Sequence, residues 1–161
     1  MYQPYPAGGG ADQLPGRPPM PQSVVNAVKL MYAGAVISAI EVVITLTTIG
    51  SLKSAIVKAY PHYSAAKVHD LEVAGIAGIV VSGLIGIALW LVVARLNAAG
   101  RNWARIVAAV LFGINTIELI SLFARPHALI GMLFAVLLWI IGLAAIVLLW
   151  RRESTAYFRA S

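Results

Sequence analysis

Apolar positions along the chain gather into four long, nearly continuous runs, at about residues 25–50, 73–95, 103–124 and 128–150. Each run holds on the order of 20 residues, which at about 1.5 Å per residue crosses a hydrocarbon layer of about 30 Å. None shows the period-two alternation of a barrel strand. A helix satisfies its own backbone polar groups inside such a layer, so each run is predicted to be a membrane-spanning helix. The second run carries no charge before Arg95 at its end, and the fourth none. The first contains Lys29 and Glu41, and the third Arg105 and Glu118.

The breaks between runs set the connections. Asn97-Ala98-Ala99-Gly100 makes a short turn and Arg125-Pro126-His127 a tighter one, so the last three spans are expected to pack as an antiparallel series. The outer loop, residues 51–72, is longer. Its first half places Leu52, Ala55, Ile56 and Ala59 at helical spacing, with Lys53 and Lys58 toward water. Pro61 stops that stretch, and Ser64 is placed to cap a helix leading into the second span. A short interfacial helix on the outer surface is the predicted result. The expected fold is therefore all-α: an integral membrane four-helix up-down bundle over residues 24–152.

The two ends read differently. Residues 1–23 hold most of the prolines and the Gly8-Gly9-Gly10 run, with neither the charged start nor the apolar core of a signal peptide. They are expected to be a disordered tail, and the first span an uncleaved signal anchor. Residues 153–161 read as a C-terminal tail. There Arg159, with Arg151 and Arg152 just before it and Tyr157 and Phe158 among it, suggests an amphipathic membrane-surface tag.

Composition agrees with a membrane chain. Of 161 residues, 60% are hydrophobic and 11% charged, where a soluble domain is about a quarter charged. The net charge of +6 would point a soluble protein toward nucleic acid, but here the cations flank the spans. Arg17, Lys29, Arg95, Arg101, Arg105, Arg151, Arg152 and Arg159 fall on one side, and Lys53, Lys58, Lys67 and Arg125 on the other. That asymmetry puts both termini in the cytoplasm. Trp90, Trp103 and Trp150 fall at the cytoplasmic span ends, as an interfacial belt would. The expected partners are the lipid bilayer and a second copy or another membrane protein, with no nucleic acid.

Chemistry is sparse. The chain has no cysteine, which excludes disulfides and thiolate-bound clusters. His62, His69, Asp70 and Glu72 share a loop, but none forms the i, i+4 pair of a helical chelate, so they read as solvated loop residues rather than metal ligands. His127 beside Pro126 reads as an interfacial turn residue. No nucleophile–base motif or phosphate loop occurs, so no enzyme activity and no cofactor are expected.

Two intramembrane carboxylates remain, and a carboxylate in hydrocarbon is costly unless it has a partner or a task. Glu41 lies twelve residues beyond Lys29 and Glu118 thirteen beyond Arg105, so both sit roughly 18–20 Å from the cytoplasmic ends of their helices. Gly34, Ser38, Glu41, Thr45 and Thr48 make a polar stripe on the first span, and Asn115, Glu118 and Ser121 a second on the third. Glu41, Glu118, Ser38, Thr45 and Asn115 are the candidate polar site. It reads either as an exchangeable-proton or cation site, or as hydrogen bonds that fix helix packing. On the second span Ala74, Gly78, Ser82 and Gly86 recur every four residues, a small-residue face for close helix packing, within the chain or between copies.

Three segments carry a resemblance: the Tyr2-Gln3-Pro4-Tyr5-Pro6 tail with its glycines, the stretch from Pro21 to Tyr32, and the Gly100-Arg101-Asn102-Trp103-Ala104-Arg105 hinge. The layout resembles uncharacterised small four-span membrane proteins of actinobacteria with a Pro/Gly/Tyr-rich N-terminal tail. That resemblance implies the bacterial cytoplasmic membrane and no particular activity. The leading expectation is a non-enzymatic structural or interaction protein. The alternative is a small proton- or cation-coupled transporter or channel subunit using Glu41 and Glu118.

Overall fold

The computed structural model describes residues 19–47, 49–123 and 129–159, and is helical nearly throughout. Six helices follow in order: α1 (Gln22–Thr47), α2 (Gly50–Ala59), α3 (Ala65–Ala98), α4 (Asn102–Phe123), α5 (Leu129–Leu149) and α6 (Arg152–Arg159). Four of them, α1, α3, α4 and α5, are long and apolar enough to cross a membrane. The N-terminal tail before residue 19, Thr48 of the polar stripe, and the turn at residues 125–127 lie outside the described residues.

Local chemistry explains the breaks. Ser64 is extended and its hydroxyl accepts from the Lys67 amide at 3.3 Å, so it caps α3. This starts α3 eight residues before the apolar run does. At the other end Gly100 takes φ 71°, which only glycine adopts without strain. The Arg101 amide then bonds Leu96 O and the Gly100 amide bonds Asn97 O, closing the helix in a Schellman motif and turning the chain into α4.

Helix α1 is the centre of the assembly. It packs along α3 and α5, whereas α4 rests mainly on α5 and more lightly on α3. Glycine permits the closest approaches. A Cβ on Gly83 would enter the space of Val42 on α1, and one on Gly34 would come within 2.9 Å of the Trp90 ring. Trp90 therefore lies between helices against Gly34, half-buried, rather than in an interfacial belt. Trp103 and Trp150 are exposed.

Burial is concentrated at one end. Val24, Ala27, Met31, Val93, Ala94, Ala108, Ala145 and Leu149 form one buried cluster, completed by Tyr157 and Phe158 of α6. The expected membrane-surface tag is therefore a docked helix. Its aromatic pair fills the gap where α1 begins, α3 ends, α4 begins and α5 ends. Ser154 donates to Leu148 O at 2.7 Å and bonds the Ser23 hydroxyl at 2.9 Å, and Tyr157 donates to Ala98 O at 3.2 Å. The buried Arg105 donates to Thr155 at 3.3 Å, and its guanidinium lies over the rings of Trp150 and Phe158.

Away from α6 the helices are covered far less. Helix α2 lies on α3, with Leu52 against Gly75 and Lys53 and Lys58 exposed. Beyond the Tyr60 cap, Tyr60 and Tyr63 stack with ring centroids 4.8 Å apart.

Candidate functional site

The α6 end is tight and the opposite end loose, and a cleft lies between α3, α4 and α5, lined also by Met31 of α1. It encloses about 270 Å³. Its walls are largely apolar. Helix α3 contributes Gly86, Leu89 and Trp90, helix α4 Leu111, Phe112 and Ile114, and helix α5 Leu138, Gly142 and Ile146. Among the described residues two polar side chains line it, Asn115 and Glu118, which lie one turn apart on α4.

Phe112 and Trp139 fix the α4–α5 wall. Their rings pack at 5.6 Å, the Trp139 Nε1 donates to the Thr116 hydroxyl at 3.0 Å, and that hydroxyl donates to Phe112 O at 2.8 Å. The indole N–H is thereby satisfied away from water. Gly142 brings α5 close: a Cβ there would stand 3.0 Å from the Phe112 ring and 3.8 Å from Trp90.

The structure divides the candidate polar site. Asn115 and Glu118 are exposed to the cleft, and the Glu118 carboxylate makes no hydrogen bond or ion pair with any described residue. Ser38 is buried on α1, and Glu41 and Thr45 are half-buried; none of the three lines the cleft. Helices α1 and α4 sit across the bundle from each other, each flanked by α3 and α5. The stripe on α1 is in part a packing seam, its Gly34 taken up by Trp90. Among the described residues no group of three or more His, Asp or Glu side chains is arranged to hold a metal ion.

The small-residue face of α3 also lies differently from an intramolecular packing face. Ala74, Gly78 and Ser82 are exposed and Gly86 half-buried, and a Cβ on Gly78 or Gly86 would meet nothing within 4 Å. Within the chain, close packing uses Gly75 and Gly83 instead, one residue forward and one residue forward again on the next pair of turns. The residues that sequence reasoning missed are Trp90 and Phe112. The available signal was the presence of glycines (Gly34 and Gly142) on two other spans, which leave room for a ring.

No protein family, curated protein or solved structure matches the chain.

Proposed function

We propose that this chain is a multi-pass protein of the bacterial cytoplasmic membrane. Its four spans alternate in direction, both termini are cytoplasmic, and α2 lies at the outer surface. It acts without catalysis, through helix contacts that the loosely packed halves of its spans make with a second copy or another membrane protein. One observation carries this reading: the Ala74–Gly78–Ser82 face of α3 is open, while the chain's own packing uses Gly75 and Gly83. In lipid there is little hydrophobic drive between helices, and a face of small residues gains by letting another backbone approach closely. The alternating direction is supported by the start of α1, end of α3, start of α4 and end of α5 all meeting at α6.

The absence of native cysteine makes the test direct. Ser82→Cys and Gly78→Cys are introduced singly and oxidised in native membranes, with the exposed Val110→Cys as a lipid-facing control. Cross-linked species are expected from the α3 positions and not from the control. Equal, background cross-linking at all three refutes the reading. The transporter alternative draws on Glu118, since Glu41 is outside the cleft. It requires a pH-gradient-dependent flux in proteoliposomes that is lost in Glu118→Gln.

A further inference from the structure

The cleft itself calls for an occupant of a definite kind. We propose that it binds a compact organic cation with an apolar body, its charge against Glu118 and its body between Trp90 and Phe112. This goes beyond the helix-contact reading and does not depend on it.

Four features point the same way. The Glu118 carboxylate borders the cleft with no partner in the described residues, and a carboxylate facing apolar walls gains from a cation. Two aromatic rings, Trp90 and Phe112, line the same space and give the apolar body of an organic cation aromatic surface to pack on. Among the described residues only Asn115 adds a polar side chain, so that lining offers too few oxygens to replace the shell of a small metal ion. The volume sets the size. At about 270 Å³ the cleft falls just below the usual range of small-molecule sites, about 300–1,000 Å³. That is too small for a helix. An acyl chain would fit but would leave the carboxylate against hydrocarbon.

Phenyltrimethylammonium, with a charged quaternary nitrogen, and its neutral isostere tert-butylbenzene are suitable probes. Binding of each to the full chain in nanodiscs is measured by titration, with empty nanodiscs subtracted. Saturable binding of the cation is expected, much weaker binding of the isostere, and a roughly tenfold loss of cation affinity in Glu118→Gln, as for one partly desolvated charge pair. Leu138→Trp, which fills the cleft, should abolish binding, whereas Glu41→Gln should leave it unchanged. Each variant is first shown to unfold at the wild-type temperature. No saturable binding by the wild type, equal binding of the isostere, or an unchanged affinity in Glu118→Gln overturns the proposal. Cross-linking at Ser82 is read separately, so failure here leaves the helix-contact reading standing, and the reverse also holds.

Discussion

Adding one methyl group at two glycines of the same helix tests the packing directly. Gly83 and Gly78 both sit inside α3, five residues apart, so replacing either by alanine raises helix propensity by a similar amount, about 1 kcal/mol. That contribution cancels in the comparison. What remains is the space each new Cβ meets. At Gly78 there is no heavy atom within 4 Å. At Gly83 the Cβ would overlap Val42, whose branched side chain is stiff and leaves the helix few alternative rotamers. Overpacking of this kind costs about 1–3 kcal/mol, so Gly83→Ala should be less stable than Gly78→Ala by about that amount. Unfolding of the purified chain in detergent, followed by its tryptophan fluorescence, measures the difference. The ranking is read at protein-to-detergent ratios low enough that stability no longer depends on concentration, so contacts between copies through the Gly78 face do not confound it. Equal stability, or a more stable Gly83→Ala, would show that α1 and α3 do not approach at this position and would refute the packing described here.

Two further outcomes follow from the α6 end and the cleft wall. Phe158→Ala removes a buried ring from beneath Arg105 and should cost about 3–5 kcal/mol; limited proteolysis should then cut within α6 much faster than in the wild type, and an unchanged rate would mean that α6 does not dock. Trp139→Phe keeps the ring contact with Phe112 but removes the donor to Thr116, so thermal unfolding should shift by the equivalent of about 0.5–1.5 kcal/mol; no shift would place the indole N–H elsewhere.

How much was legible in the sequence differs from element to element. The four long helices follow from nearly continuous apolar runs, because a run of that length without alternation has few other solutions. The α2 helix and the Ser64 cap were also readable, since Pro61 and the helical spacing around Leu52 act locally. The docking of α6 was not. Eight residues with three charges suggest a surface segment, and only the gap left where four helix ends meet gives Tyr157 and Phe158 a place to be buried. Trp90 is a similar case: its position near a span end fits an interface, and the glycine opposite it, Gly34, belongs to a different span.

The candidate site shows the same division. Glu41 and Glu118 stand out in the sequence because charge is rare in apolar runs, and their depth follows from counting residues. Whether they face one another depends on the neighbours of each helix, and α1 and α4 sit across the bundle. The stripes on α3 give the clearest case. Ala74, Gly78, Ser82 and Gly86 form one series and Gly75 and Gly83 another, and a step of one residue rotates the helix face by about 100°. The sequence by itself determined the four long apolar helices and which residues are small enough for close contact, because both properties are local. Only the tertiary structure decided which series meets Val42 and which stays open. That choice is made by the rotation of α3 against α1, and rotation depends on how side chains from both helices fill the space between them.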